Sequence, residues 1–292
     1  MDQKLTTFLT LCRTLNYRAA AEELHLTQPA VTKQIQALEQ IYNGKLFHYD
    51  GRRLHKTEKG LLLESYAMSF QYNYEQLQAA MNKKPKTALR IGATKTIGDY
   101  VLCPYITSYL SRTDHSISLL VDNTKELLSK LENNELDFAV IEGIFQKDKY
   151  DYQLLRMEPF IGICAADHPL NGQTVSVEDI LKETLIVREL GSGTRDILEY
   201  KLSMAGFQLS SFSKTTCISS LKLIGELVSS GLGISFLYQS VIENSNNFGT
   251  FQVENITGDH EFNIVYLKNT SAWNYADAFF ENHPMTICNN KT

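Results

Sequence analysis

The stretch between residues 16 and 60 constrains the fold of this chain more than any other. Small alanines at 19–21 open one short helix, so that a second helix can cross it closely. The turn falls at 25–26, and Thr27 after it suits an N-cap, because its hydroxyl can accept a hydrogen bond from an unpaired backbone N–H. Pro29 is well tolerated near a helix start, where its missing donor costs little. The pattern predicts two helices joined by a capped turn.

The second of these helices, predicted over residues 28–41, is polar and carries a lysine. It places Ala30, Ile35 and Leu38 on the side suited to packing. The side chains left free to meet phosphates or base edges are Thr27, Gln28, Thr32, Lys33 and Gln36. Such a helix behind a capped turn is typical of the recognition element of a helix-turn-helix. The alternative is an ordinary amphipathic helix pair that binds no nucleic acid.

A small β-wing is predicted after the recognition helix. Residues 46–48 and 54–56 flank Asp50-Gly51, a strong turn signal. The side chains on or beside this wing, placed for the sugar-phosphate backbone, are Arg52, Arg53, His55 and Lys56. The alternative is that this charged run is only a solvated face.

Residues 16–60 also resemble the N-terminal winged helix-turn-helix of the LysR-type transcriptional regulators. The matching segments, in order, are 20–24 (AAEEL), 27–31 (TQPAV), 38–39 (LE), 44–47 (GKLF), 51–53 (GRR) and 57–60 (TEKG). Six ordered segments are a more specific signal than a lone helix-turn-helix pattern. Four residues depart from the family pattern: Tyr49 stands where arginine is usual, Lys56 where an apolar residue is usual, and Gln36 and Ala37 where basic residues are common. Together with the resemblance, the pattern predicts DNA contacts from Arg18, Thr27, Gln28, Pro29, Ala30, Thr32, Lys33, Gln36, Arg52, Arg53 and His55.

Charge is distributed unevenly along the chain. The whole sequence of 292 residues has a formal net charge of −5, which argues against indiscriminate binding to DNA. Residues 1–60 nevertheless hold nine Lys or Arg against six Asp or Glu, a net charge of +3, so the remainder carries −8. A basic head on an acidic body suits a protein that contacts phosphates with one end only.

One long amphipathic helix is predicted over residues 57–84, with Thr57 as its cap and Pro85 as its stop. Apolar side chains recur there every three or four residues: Leu62, Tyr66, Phe70, Tyr74, Leu77 and Met81. A helix of about 40 Å with one apolar stripe cannot hide that stripe in a small head domain. We expect it to pair with a second copy, and the family resemblance implies the same dimerising linker helix. The alternative is packing against its own C-terminal domain.

Beyond a charged hinge at 83–86, strands and helices alternate. Predicted strands are 88–93, 116–121, 138–142, part of 155–165, 185–187, 215–217, 234–237 and 262–267; predicted helices are 97–110, 124–132, 195–205, 219–229 and 272–281. Such alternation predicts a parallel sheet with helices on both faces. The resemblance extends here through the segments LENNELD, ADHPL, GSGTR and LIGELVSSGLGISF. It implies two α/β subdomains similar to periplasmic solute-binding proteins, with a ligand cleft between them.

The expected domains follow, since 292 residues exceed the size of one core. They are a winged helix-turn-helix DNA-binding domain at 1–60, a linker helix and hinge at 57–87, and an effector-binding domain at 88–292. The effector domain divides into subdomain I, residues 88–163 with 268–292, and subdomain II, residues 164–267.

An effector pocket is expected where helix N-termini follow strands, because ligands of open α/β sheets lie at the carboxyl ends of strands. Residues 94–96 and the glycine-containing segment 191–195 both have this position, and their hydroxyls and N–H groups favour a small anion such as a carboxylate. For the second segment, turn chemistry alone is the alternative. The candidate effector residues are Thr94, Lys95, Thr96, Glu142, Arg188, Ser192, Gly193, Thr194 and Ser219.

Other classes of protein fit the sequence less well. GxxxxGK[ST], GxGxxG, GxSxG and HExxH motifs are absent, so no enzyme activity and no cofactor are expected. The five cysteines are scattered without metal-ligand spacing, which predicts reduced, mostly buried thiols and no metal site. A solute-binding protein is the main alternative, but it has no use for a helix-turn-helix and needs a signal peptide, for which we see no pattern. No run of 18 apolar residues predicts a membrane span.

The sequence therefore predicts a cytoplasmic, ligand-responsive transcriptional regulator. Its expected partners are double-stranded operator DNA, a small anionic co-inducer and a second copy of itself. The linker helix predicts a homodimer, two dimers are expected to form a homotetramer, and RNA polymerase is a further expected partner.

Overall fold

The computed structural model describes residues 2–82, 88–113, 115–243 and 247–281. The chain forms two compact units. The first contains Met1–Thr87 with Glu132–Asn134 and Leu267–Ser271, and the second contains the remainder. The predicted hinge at 83–86, the helix stop at Pro85 and residues 282–292 of subdomain I lie outside the described residues.

The first unit opens with three helices. They are α1 (Gln3–Thr14), α2 (Tyr17–Glu23) and α3 (Gln28–Ile41). Each follows a capping side chain, since Asp2, Asn16 and Thr27 accept hydrogen bonds from N–H groups of the first turn. The core between the helices contains Phe8, Leu11, Ala20, Val31, Ile35, Leu38 and Leu46. Val31 therefore fills the packing position that the sequence assigned to Ala30, which is only half-buried.

A wing and a long helix follow. Strand β1 (Phe47–Tyr49) pairs antiparallel with β2 (Leu54–Lys56), as the turn signal predicted. Helix α4 (Glu58–Met81) begins after Thr57, whose hydroxyl accepts a hydrogen bond from the Gly60 N–H. At Gly60 a Cβ would lie 2.2 Å from the Leu46 carbonyl oxygen, so only glycine lets the helix start so close to the wing.

Helix α4 has two apolar faces. The predicted stripe is largely exposed in this chain, at 61% for Leu62 and Tyr66, 51% for Phe70, 57% for Leu77 and 75% for Met81. Met68 and Tyr72, on the opposite face, are buried. The exposed stripe is consistent with pairing to a second copy, which stays a prediction.

The second unit alternates strands and helices. Its first half contains β3 (Leu89–Thr94), α5 (Lys95–Tyr100), α6 (Cys103–Leu110), β4 (Ile117–Asp122), α7 (Thr124–Glu132), β5 (Phe138–Glu142) and β6 (Tyr150–Ala165). Next come β7 (Thr174–Val175), α8 (Val177–Ile180), β8 (Thr184–Val187), α9 (Gly193–Met204), a 3₁₀ helix (Leu209–Ser211) and β9 (Lys214–Cys217). The last elements are α10 (Leu221–Ser229), β10 (Ser235–Tyr238), α11 (Gln239–Ile242), β11 (Phe248–Val253), β12 (Gly258–Leu267) and α12 (Ala272–Phe280).

The main sheet is mixed, so the prediction of a parallel sheet is correct for only part of it. Strands β4, β3 and β5 are parallel, but β12 is antiparallel to β5, and both β10 and β11 are antiparallel to β6. Strands β8 and β9 form a separate parallel pair. The long strands β6 and β12, with 16 and 10 residues, make the antiparallel pairings with β10, β11 and β5 that interrupt the parallel order.

One predicted helix needs correction, and one strand was missed. The helix predicted over 97–110 is two helices, α5 and α6, separated at Val101 and Leu102. Pro104 explains the break, because its ring would clash with the carbonyl of residue 100 in a continuous helix. Strand β11 was not predicted at all. None of the helices in the described ranges combines the length and the apolar character needed to cross a membrane.

Candidate functional site

The first candidate surface is the exposed side of α3. Val31, Ile35 and Leu38 bury its other side. Thr27, Gln28, Pro29, Lys33 and Gln36 are exposed, and Ala30 and Thr32 are half-buried. The Thr32 hydroxyl donates to the Gln28 carbonyl over 3.0 Å, so in this state it faces its own helix. The helix is therefore fixed by its apolar side and presents the polar side chains that a recognition helix needs.

The wing is held by one carboxylate. Asp50 Oδ1 accepts hydrogen bonds from the backbone N–H groups of Arg52 (2.8 Å) and Arg53 (2.7 Å). Asp50 Oδ2 lies 2.8 Å from Nε2 of His55. The backbone N–H groups of Arg53 and Arg52, with a smaller effect from His55, lower the pKa of Asp50 to about 2. Both arginine side chains are exposed beside this rigid turn.

Two other basic residues near this surface already have partners. Lys56 Nζ lies 2.7 Å from Glu64 Oε2, and both side chains are largely buried. The sequence suggested that Lys56 meets a phosphate, but in this structure Glu64 already holds its ammonium group. The half-buried environment also explains why the family usually has an apolar residue at this position. Arg18 pairs with Glu22 at 3.1 Å, but its side chain is 83% exposed and remains accessible.

The second candidate site surrounds Glu142, at the end of β5. Thr94, at the end of β3, donates a hydrogen bond to Oε2 of Glu142, and Thr194 of α9 donates to Oε1 over 3.2 Å. The hydroxyl of Thr96 also lies close to this carboxyl, although it makes no well-formed hydrogen bond. The structure thus gathers three of the predicted hydroxyl residues around one predicted carboxyl.

Burial raises the pKa of Glu142 above its ordinary value. Hydrogen bonds from the threonines and the positive charge of Arg188 oppose this effect without cancelling it. The carboxyl is therefore held toward its neutral form, which makes the site less repulsive to an anion than its composition suggests.

Two cations and one further carboxylate adjoin this centre. Glu189 accepts hydrogen bonds from Nε (2.9 Å) and Nη2 (3.1 Å) of Arg188, and Lys95 Nζ donates to Glu189 Oε1 over 3.1 Å. The Arg188 side chain is only 4% exposed. Its third nitrogen, Nη1, is buried and has no hydrogen-bond partner among the described residues.

Glycines let two backbone segments approach closely at this site. A Cβ on Gly143 would lie 2.8 Å from the Gly193 Cα, and a Cβ on Gly193 would lie 2.4 Å from the Glu142 carbonyl oxygen. Ser192 is buried next to this contact. Ser219 differs from the other predicted residues, because it is exposed and is not among the described contacts of Glu142.

Sequence reasoning missed three groups of this region. Glu189 was overlooked, although its position directly after Arg188 at the end of a predicted strand was a usable signal. Tyr238 and Ser240 are buried, and neither hydroxyl has a partner among the described residues. Burial raises the pKa of the Tyr238 hydroxyl, and the charges of the nearby buried carboxyls of Glu142 and Glu158 raise it further. No local pattern marks these residues.

The cysteines give a divided result. Cys12 and Cys164 are buried, and burial raises the pKa of the Cys164 thiol to about 11. Cys103 and Cys217 are free but exposed, so the prediction of mostly buried thiols holds for half of the four described. Cys288 lies outside the described residues.

Comparison with known proteins matches both units. The family described as "Bacterial regulatory helix-turn-helix protein, lysR family" matches residues 3–61, and the family described as "LysR substrate binding domain" matches residues 82–282. The HTH-type transcriptional regulator CysL of Bacillus subtilis is 31% identical over 248 residues, which are 82% of this chain and 80% of CysL. The RuBisCO operon transcriptional regulator of Allochromatium vinosum is 27% identical and covers 96% of this chain and 94% of its own length.

Solved structures show the same fold. An H2O2-bound cysteine-to-serine mutant of Corynebacterium glutamicum OxyR has a TM-score of 0.59 at 24% identity, covering 94% of this chain and 89% of that one. The regulatory domain of Synechocystis CcmR, solved in complex with 2-PG, has a TM-score of 0.59 at 19% identity, covering 67% of this chain and 97% of that one.

These matches decide between the classes of protein that the sequence left open. The helix-turn-helix match at residues 3–61 argues against a solute-binding protein. The matched families describe regulators that bind DNA with one domain and a small molecule with the other, and they are not enzymes. This chain belongs to the LysR family of transcriptional regulators.

Proposed function

We propose that this regulator binds operator DNA as a dimer and responds to a small anionic effector held beside Glu142. The effector cleft lies between subdomain I, residues 88–163 with 268–292, and subdomain II, residues 164–267. The proposed effector residues are Thr94, Lys95, Thr96, Glu142, Arg188 and Thr194, together with Ser192, Gly193 and Ser219.

The observation that carries this proposal is the unsatisfied Nη1 of Arg188. Buried donors are nearly always hydrogen-bonded, and an unpaired charged donor is especially costly. Arg188 is 4% exposed, yet one of its nitrogens has no partner among the described residues. The buried Thr96 hydroxyl, also unpartnered among those residues, lies near the same carboxyl as Arg188. A small anion, such as a carboxylate, is the kind of ligand that would supply acceptors for these donors, and this is why we place the effector here.

The DNA-binding part of the proposal rests on the exposed polar side of α3 and on the wing. Arg18, Thr27, Gln28, Pro29, Ala30, Thr32, Lys33, Gln36, Arg52, Arg53 and His55 are the proposed DNA contacts. The exposed stripe of α4 supports a homodimer, and association of two dimers gives the proposed homotetramer. Because it binds operator DNA, we place the protein in the cytoplasm, and RNA polymerase is a further proposed partner.

The experiment compares thermal unfolding of the wild type and Arg188→Gln in increasing concentrations of acetate, inorganic phosphate and 2-PG. A ligand that binds only the folded state raises the unfolding temperature, with about 2.7 kcal/mol of added stability at 100 times the Kd. We expect at least one of these anions to stabilise the wild type and to have little effect on Arg188→Gln.

Arg112→Gln is the matched control. Arg112 pairs with Glu281 at 3.1 Å in the same unit, so its loss removes an arginine ion pair elsewhere. The control should respond to anions like the wild type. An Arg188→Gln protein that is stabilised as strongly as the wild type, or a wild type that no anion stabilises, would contradict the proposal.

A further inference from the structure

Charged side chains alternate in sign from the buried centre of the cleft outward. Glu142 is fully buried, and the positive charge of Arg188 acts on its carboxyl. The carboxylate of Glu189 accepts hydrogen bonds from both Arg188 and Lys95. The Lys95 and Glu189 side chains are 34% and 24% exposed, so this series of charged side chains runs from the buried Glu142 to the solvent-exposed edge of the site. The carboxylate of Glu189 contacts both cations.

We propose that Glu189 is a resident anion of the effector cleft, a carboxylate of the protein that competes with the effector for Lys95 and Arg188. This inference rests on the proposed function and concerns the regulation of the same site. It identifies the effector class more narrowly, as a small molecule whose anionic group is a single carboxylate or an anion of similar size.

The geometry around Arg188 supports the competition. A guanidinium offers five N–H donors in a planar fork. Glu189 uses the edge formed by Nε and Nη2, at 2.9 and 3.1 Å, and Nη1 is left without a partner among the described residues. The Glu189 carboxylate thus already occupies one edge of the Arg188 guanidinium. An entering carboxylate can reach Nη1 only at a position next to the Glu189 carboxylate.

The charges set a limit on what can enter. Lys95 and Arg188 contribute two positive charges and Glu189 one negative charge, which leaves room for one more negative charge. Partial burial favours the neutral form of Glu189, but hydrogen bonds and charge from Arg188 prevail and lower its pKa, so it is ionised near neutral pH. Burial raises the pKa of Glu142, so that carboxyl adds less negative charge. With Glu142 in the neutral form that its burial favours, a singly charged effector balances the charges of Lys95, Arg188 and Glu189.

The Lys95–Glu189 ion pair connects two parts of the effector domain, so an effector that competes for Lys95 can change how these parts contact each other. Lys95 begins α5, directly after β3 of the main sheet, and Glu189 follows β8, which pairs with β9 in a separate sheet. An effector that draws Arg188 and Lys95 to itself weakens the contact between these two parts of the effector domain. Effector binding and the Lys95–Glu189 ion pair are then coupled.

The test compares the two ends of one ion pair, using calorimetric titration of acetate and of inorganic phosphate into the full-length protein. Glu189→Gln keeps the side-chain shape and removes the competitor, so anion binding should become about tenfold tighter. Lys95→Met removes a cation, so anion binding should become about tenfold weaker. A purely structural ion pair predicts changes of the same sign in both variants, because both break the same contact.

Glu261→Gln is the control, since Glu261 pairs with Lys147 at 2.8 Å in the same unit and should leave anion affinity unchanged. The inference is overturned if Glu189→Gln binds anions no more tightly than the wild type, or if both variants weaken binding. Failure of the proposed function looks different: then the wild type itself binds no anion, or Arg188→Gln binds as well as the wild type. Unchanged far-ultraviolet circular dichroism establishes that each variant is folded.

Discussion

Replacing Leu77 by alanine should weaken the pairing of two copies through α4. Leu77 lies on the exposed stripe with Leu62, Tyr66, Phe70 and Met81, each at least half exposed in the single chain. Among these five side chains the tyrosine hydroxyl is the one polar group, so covering the stripe is driven by the hydrophobic effect. A second copy of the same helix supplies a face of the same character.

The size of the effect follows from the exposure. Full burial of a leucine side chain contributes about 1.5–3 kcal/mol. Leu77 is 57% exposed, so covering it contributes about 0.9–1.7 kcal/mol in each chain and about twice that in a symmetric pair. Alanine retains one methyl group, which leaves an expected loss of about 1.5–2.5 kcal/mol, or roughly 10- to 70-fold in the dimer Kd. Leu77→Glu, which also buries two like charges, should abolish pairing.

Sedimentation equilibrium over a range of protein concentrations measures this Kd directly. Glu75→Ala is the matched control, because Glu75 is exposed on the same helix but lies nearly opposite Leu77, at about 100° per residue. Its loss breaks a hydrogen bond with Gln71 on the same helix. Equal dimer affinity in Leu77→Ala, Glu75→Ala and the wild type would refute the assignment of the stripe to pairing.

Three further predictions concern the two sites. Lys33→Ala and Arg52→Ala should each lower the salt slope of operator binding by about one unit. Lys56→Ala should leave the slope unchanged, because Lys56 already pairs with Glu64. If all three variants keep the wild-type slope, Lys33 and Arg52 do not contact the DNA. Thr96→Val should blunt the reporter response to effector yet retain or increase thermal stability, because the buried hydroxyl has no partner to lose among the described residues; a destabilised variant would show that Thr96 is structural. Glu142→Gln should flatten the dependence of unfolding free energy on pH in urea titrations. Burial raises the folded-state pKa of Glu142 above 4.5, so the wild type loses stability as pH rises from that value through the folded pKa, and an unchanged profile would contradict this.

Elements specified by local chemistry were predictable from the sequence. Helix α3 begins and ends where its cap and apolar spacing predicted, at Gln28 and Ile41, and α7 and β5 also have their predicted bounds. Elements whose limits depend on distant residues were not. The antiparallel course of β6 and β12 and the existence of β11 depend on pairing between strands far apart in sequence.

The candidate site divides in the same way. Its residue types at strand ends and helix starts pointed to Thr94, Thr96, Glu142 and Thr194, which the structure brings together. The pattern could not show that the threonines hydrogen-bond the glutamate rather than remain open to solvent, because that depends on how β3, β5 and α9 meet. Lys56 was misjudged for a similar reason, since Glu64 is its partner through the packing of α4 on the wing.

The strengths of the contacts around Glu142 determine what a small effector can change. The Lys95–Glu189 ion pair is partly exposed, and pairs of this kind contribute about 0–1 kcal/mol. The hydrogen bonds of Glu142 with Thr94 and Thr194 are buried, so breaking them leaves polar groups unpaired at about 1–3 kcal/mol each. A ligand shifts an equilibrium only by its difference in affinity for the two states. An anion that competes for Lys95 and Arg188 therefore needs little binding energy to release the outer ion pair, while the buried hydrogen bonds keep the inner contact closed.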